Sequence, residues 1–174
     1  MEKELVIPEN VTVEMNNKNV KVSGPKGELE KEFKHFFDIK IKKKENKIVV
    51  TSPSDRRKVK AMVGTISAHI KNMVKGVTEG YTYKMRVVYS HFPVTVKVEN
   101  DKVMIQNFLG ETVPRVAKIV GDTKIEVKGQ DIILTGPNKD DVGQTSANIE
   151  QACRINKYDR RIFQDGVYIV EKPK

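Results

Sequence analysis

The sequence holds one cysteine, Cys153, among 174 residues. A lone thiol cannot staple a chain to itself, so a disulfide scaffold is excluded and a reducing compartment fits. Long apolar runs are also missing. The most hydrophobic stretches, Ile48–Val50 and Ile132–Leu134, have the length of strands rather than of bilayer-crossing helices. The opening MEKELVIPENV carries glutamates and no apolar segment of its own, so it does not read as a signal peptide. Catalytic constellations are thin. His35, His69 and His91 lie far apart, with no cysteine or carboxylate pair at metal-ligand spacing. Gly24-Pro25-Lys26-Gly27 and Gly136-Pro137-Asn138-Lys139 lack the Gly-Lys-Ser/Thr ending of a phosphate loop. The expectation is a protein with no metal, no cofactor and no catalytic residue.

What the chain does have is a globular balance, 38% hydrophobic and 32% charged, and an excess of positive charge, +9 at pH 7 with a pI near 9.5. Such an excess points to a polyanion: a nucleic acid, or less often an anionic membrane face.

An internal repeat organises the sequence. Val11-Thr12-Val13 and Val94-Thr95-Val96 open two halves at an offset of 83, which also brings Val20 onto Val103, Val22 onto Ile105, Gly27 onto Gly110 and Glu28 onto Glu111. At an offset of 84, Ile48–Pro53 falls on Ile132–Pro137, and at 79, Gly64, Ser67, Ala68 and Ile70 fall on Gly143, Ser146, Ala147 and Ile149. Three blocks in the same order indicate tandem duplication. The expected domains are residues 1–83 and 84–174, with Tyr81–Val98 as a strand-like joining stretch.

Within each copy the periodicity changes. Val11, Val13 and Met15, then Val20 and Val22, alternate with polar residues as in a half-buried antiparallel pair, with Asn16–Asn19 or Glu99–Lys102 as the turn. Val59, Met62, Val63, Ile66, Ile70, Met73 and Val74 then follow helical spacing, with Ser54 as the expected N-cap and Gly76 as the expected stop. The second helix is shorter, buries Val142, Ile149, Ala152 and Cys153, and starts from Asn138 or Asp140. The fold class is therefore α+β: a duplicated small domain with a mainly antiparallel sheet and one helix on one face.

The charge is clustered. Residues 40–60 carry nine basic and two acidic side chains, residues 84–150 nine of each, and residues 151–174 six basic and three acidic. The first cluster (Lys40, Lys42, Lys43, Lys44, Lys47, Arg56, Arg57, Lys58, Lys60) alternates with Ile39 and Ile41, as lysines guarding a sheet edge do, and that reading outweighs a phosphate-binding one. The second cluster (Arg154, Lys157, Tyr158, Arg160, Arg161, Phe163) interleaves arginines, suited to phosphate oxygens, with rings that can stack on unpaired bases; Phe163 is equally suited to a core. A third candidate is the opening of the second helix, whose N–H groups could hold a backbone phosphate, extended by Lys139, Gln144, Ser146 and Asn148. Cys153 reads as a buried thiol, and Asp140-Asp141 as the dipole complement of a helix start.

The duplicated layout, the run IKNMVKGVTEGYTYKMRVVY, the segment GPNKDDVGQTSANIEQ and the ending RRIFQDGVYIV resemble the family of the sixth protein of the large ribosomal subunit, in its archaeal and eukaryotic branch, over nearly the whole chain. The resemblance implies a non-catalytic constituent of the large subunit. It would bind large-subunit rRNA near the stalk base, where translation factors dock, with ribosomal proteins as neighbours and no membrane or small-molecule partner. It places RNA contacts at Lys139, Gln144, Ser146 and Asn148, along Arg154 to Gly166 (Lys157, Tyr158, Arg160, Arg161 and Gln164 included), and in a first-domain loop of Asn72, Lys75, Gly76 and Val77. Where the bacterial branch has a lysine- and glycine-rich motif after the second helix, this chain has KYDRRIFQDG. Two other readings are a non-ribosomal RNA-binding protein with a duplicated domain, and a phosphate-handling enzyme using Gly136–Lys139.

Overall fold

The computed structural model describes residues 2–16, 19–33, 39–44, 47–54, 56–89, 91–156 and 158–173. His35 and Lys157, and the middle of the Asn16–Asn19 turn, lie outside them. The chain divides into two compact units, Met1–Gly80 and Tyr81–Lys174.

In the first unit, β2 (Thr12–Asn16), β3 (Asn19–Gly24) and β4 (Gly27–Glu32) form one antiparallel sheet in the order β2-β3-β4. Val13 faces Val22 and Met15 faces Val20, the register the alternation requires. A second sheet, in the order β1-β6-β5, sets β6 (Lys47–Thr51) between β1 (Glu2–Val6) and β5 (Lys40–Lys44). The central strand is the one whose Ile48, Val49 and Val50 are all buried. The edge strand β5 carries exposed Lys40, Lys42, Lys43 and Lys44, which favours the edge-guarding reading of these lysines.

The single sheet expected in each copy is thus two sheets, spanned by one helix. α1 (Arg57–Thr78) packs on β1, β3, β4 and β6, so its apolar stripe touches both. Three short strands cannot close a core alone, and a stripe of Val63, Ile66, Ile70, Met73 and Val77 seals the two together.

The ends of α1 differ from expectation. Ser54 is not its cap: the helix starts at Arg57, and the flanking Arg56 makes no side-chain capping bond. Instead the Ser54 hydroxyl accepts from the Arg56 N–H at 3.4 Å. Gly76 is not its stop either, but a buried residue inside the last turns. The helix ends at Thr78, and beyond the Glu79 cap comes Gly80, whose φ of +76° suits glycine. Asn72, Lys75, Gly76 and Val77 are accordingly helical rather than a loop. The turn Gly24–Gly27 serves this helix end, because the Lys26 N–H donates to the Val77 carbonyl at 2.9 Å and its ammonium donates to the carbonyl of Glu79. The superficial phosphate loop is a cap for orphan carbonyls.

The second unit repeats the plan. β8 (Thr95–Glu99), β9 (Lys102–Gln106) and β10 (Arg115–Lys118) form a sheet in the order β10-β9-β8, and Asn100, at φ +49°, makes the first turn as expected. β11 (Lys124–Lys128) and β12 (Asp131–Gly136) correspond to β5 and β6. They belong to a four-stranded sheet, β11-β12-β7-β13, with β7 (Tyr81–Val88) and β13 (Gly166–Glu171). α2 (Lys139–Ala152) packs on β7, β10, β12 and β13. β7 is therefore no joining stretch: it is an inner strand with Tyr81, Tyr83, Met85 and Val87 buried, and a division after residue 83 would cut it.

Candidate nucleic-acid interface

α2 is positioned at both ends. Asn138 is its cap, accepting the Asp140 N–H at 3.1 Å, while its amide donates to Asp141 at 2.9 Å. Asp140 and Asp141 fill the first turn. A helix start already holding two carboxylates repels a phosphate, so the physics there disfavours the anion site that the sequence suggested. Lys139 stands with its ammonium 5.7 Å from the centre of the Tyr81 ring. At the other end, Arg115 donates to the carbonyls of Ala152 and Arg154, both at 2.9 Å, grips both carboxylate oxygens of Glu111 and lies 4.4 Å above Phe108. A guanidinium on the last carbonyls both caps and complements the dipole.

Gln144 and Asn148 share an exposed face, linked by a 2.9 Å hydrogen bond, and Asn148 ties α2 to β10 through the Lys118 carbonyl at 3.0 Å. Ser146 does not join them. It is fully buried, its hydroxyl donating to the Gly143 carbonyl at 2.8 Å. Residues two apart on a helix point about 200° around the axis from each other, so Ser146 cannot share the face of Gln144 and Asn148.

After α2 the chain enters the arginine-rich segment, and here the expected residues do converge. The Arg160 guanidinium holds the Ile155 carbonyl through Nε and a terminal nitrogen, at 3.3 and 3.2 Å. The Arg161 N–H donates to the Asp159 side chain at 2.9 Å, an Asx turn that presents two consecutive arginines outward. Phe163, half-buried against the core, lies between two rings: His91 at 4.5 Å, stacked, and Tyr158 at 4.7 Å, tilted. Its core reading is met in part, and the rings against it are the protein's own.

His91 and Asp165 pin this segment down, and neither was singled out as functional from the sequence. The Asp165 side chain, 2% exposed, lies 3.1 Å from His91 Nδ1. The Tyr168 hydroxyl donates to the Gln164 carbonyl at 3.0 Å. Burial raises the Tyr168 phenol above its usual value, with Asp165 and Glu150 adding to the shift and Arg160 opposing it.

Between the end of α2 and this segment opens a groove of about 450 Å3. Cys153 and Ile155 form its floor, Phe163 and Tyr168 its aromatic wall; Glu150 and Gln151 line the helix side, and Arg154, Arg160 and Gln164 the rim. Tyr158 faces a smaller cleft with Arg115 and Asn156. Lys139, at the start of α2, stands roughly 20 Å along the axis from this region. In the first unit, Asn72 is half-buried on α1, and Lys75 lies 3.8 Å from Glu79 one turn later.

The comparisons agree with this architecture. The model of the family described as ribosomal protein L6 matches residues 7–80 and 92–166, once in each unit. Among curated proteins, the chain is 55% identical to the large ribosomal subunit protein uL6 of Methanothrix thermoacetophila, covering 97% of this chain and 95% of that one. It is also 55% identical to the uL6 of Staphylothermus marinus, over 97% and 92%, and 51% identical to that of Methanocella arvoryzae, over 98% and 96%.

Proposed function

We propose that this chain, which belongs to the ribosomal protein L6 family, binds large-subunit rRNA directly through the arginine-rich segment of its second unit, close to the stalk base where translation factors dock. It is a protein of the large ribosomal subunit, acting in the cytoplasm on the ribosome, and its family is one of structural ribosomal proteins rather than of enzymes.

The observation that carries the proposal is the arginine pair at 160 and 161 on a segment held from beneath. Arg160 is oriented by the Ile155 carbonyl, Arg161 follows an Asx turn, and His91 meets the buried Asp165 below them. Pre-set guanidiniums lose little freedom on binding phosphates, whereas free lysines lose much. Arg154, Tyr158 and Gln164 extend the same surface, and Gln144 and Asn148 continue it along α2. Lys139, Asn72 and Lys75 would be outlying contacts. Compact RNA is read mostly by shape and sugar-phosphate contacts, which suits so arginine-rich a face.

Filter binding to large-subunit rRNA across a salt series, with an unrelated structured RNA as competitor, tests this. Wild type should survive the competitor and show a log–log salt slope of several units. The Arg160→Ala/Arg161→Ala double variant should bind about tenfold more weakly, with the slope reduced by roughly one to two. Unchanged affinity and slope in the double variant would remove these arginines from the interface, and equal loss to any competitor would reduce the binding to generic charge.

A further inference from the structure

We infer that the groove at the end of α2 is a receptor for a single unpaired guanine base, extruded from the RNA whose phosphates the neighbouring arginines hold. The inference rests on the RNA-binding reading above and adds a site of base recognition to it.

The chemistry of the groove separates a base from other occupants. Phe163 and Tyr168 both line it; the Phe163 ring is engaged by His91 and Tyr158, whereas Tyr168 is 42% exposed although its hydroxyl is tied to the Gln164 carbonyl. A ring anchored at its polar tip and open along its side is a stacking platform. Gly166 keeps it there: a Cβ at that position would meet the Tyr168 ring at 2.9 Å. The floor of Cys153 and Ile155 is buried and apolar, as a base face requires. A volume of about 450 Å3 falls in the range of small-ligand sites, roughly 300–1,000 Å3.

The charges are divided in a way that suits a nucleotide. Arg154 and Arg160 stand at the rim, with Arg161 beyond, where a backbone phosphate would lie. Glu150 lines the helix side and would repel a phosphate placed inside. An ionised carboxylate only accepts hydrogen bonds. Guanine offers it two adjacent donors, N1–H and the N2 amino group, and no other RNA base presents that pair. Gln151 and Gln164 supply further donors and acceptors for the base edges. Single-stranded and bulged RNA is recognised by this combination of stacking and edge bonding.

The test is competition against labelled large-subunit rRNA by three hairpins of otherwise identical sequence: fully paired, with one bulged guanosine, and with one bulged adenosine. The guanosine-bulged hairpin should compete about tenfold better than the paired one and several-fold better than the adenosine-bulged one. Gln151 is exposed on α2, so Gln151→Trp can fill the groove without touching the core; it should erase the bulge advantage and leave the salt slope unchanged. Glu150→Gln should erase the preference for guanosine over adenosine. Equal competition by all three hairpins, or none by any, overturns the inference while rRNA binding stands. Loss of rRNA binding altogether would overturn the RNA reading itself. A Gln151→Trp protein with unaltered competition that no longer enters large subunits would give the groove to a protein neighbour and overturn the inference as well.

Discussion

Cys153 shows how one residue's environment decides its chemistry. Burial pushes its thiol from about 9 up to about 11, against smaller opposing effects from a hydrogen bond to the Val167 backbone and from the nearby Arg115 charge. The reactive species is the thiolate, so the native thiol should be inert at pH 8 even though it sits at the floor of an open groove. In the unfolded chain it ionises near its ordinary value. The folded state therefore holds its proton to higher pH, and the stability this contributes is present below about pH 9 and lost as pH rises toward 11. Alkylation by iodoacetamide at pH 8 should be slow in the native protein and accelerate along the urea unfolding curve. Labelling of the folded protein at the rate of a free thiol would contradict this. At this scale the sequence was half legible. Cys153 and Asn138 followed from position alone, because a helix face and a cap are local. Ser146 misled, because a polar residue type conceals which side of the helix it occupies. Arg115, His91 and Asp165 were not singled out as functional, since their partners are far along the chain: Arg115 reaches Ala152 and Arg154, and His91 reaches Asp165.

The two helices descend from one ancestor element yet handle their N-termini in opposite ways. α2 has its Asn138 cap and two carboxylates in the first turn. α1 has neither a side-chain cap nor an acidic residue in its first turn, and Arg56, Arg57, Lys58 and Lys60 are exposed around its start. Positive charge beside the positive end of a helix dipole is unfavourable. Arg57→Glu should therefore stabilise the protein against urea, by a few tenths of a kcal/mol up to about 1, with the gain shrinking as salt is added. No gain at low salt would mean that the dipole at this end is already neutralised by other groups. The apolar stripe of α1 was readable because it repeats every three or four residues, and the alternating strands because they repeat every two. The helix ends were not readable. Gly76 looks like a stop but is buried within the helix, and the true end at Thr78 is set by the left-handed backbone at Gly80 and by a β-turn some fifty residues earlier in the chain, a tertiary contact that no local pattern records. Likewise, alternation marks a strand but not the sheet it joins, so two sheets per unit read as one.

At the scale of the molecule, duplication explains why so much of the plan was visible: three blocks recur in order, and the elements they mark recur with them. Exact copying fails at the second unit's four-stranded sheet. There β7 gains a partner, β13, that has no counterpart among the described residues of the first unit, and the arginine-rich segment is the chain that leads into it. β7 is paired with β12 from Tyr81 to Arg86 and with β13 from Lys84 to Val88, so its first residues are already part of this sheet rather than of a connector. Tyr81 and Tyr83 are 1% and 8% exposed, and Tyr81, Thr82 and Tyr83 lie opposite Gly136, Thr135 and Leu134. Burying each large side chain contributes on the order of 1.5–3 kcal/mol, and a domain's whole margin is typically about 5–15. A fragment of residues 81–174 should therefore melt in one cooperative transition by circular dichroism. A fragment of residues 84–174 lacks both tyrosines and the ladder against Gly136–Leu134, so it should melt at least about 10 °C lower or not fold. Similar melting of the two fragments would mean that these tyrosines add little to the second core and that the division between the units belongs inside β7.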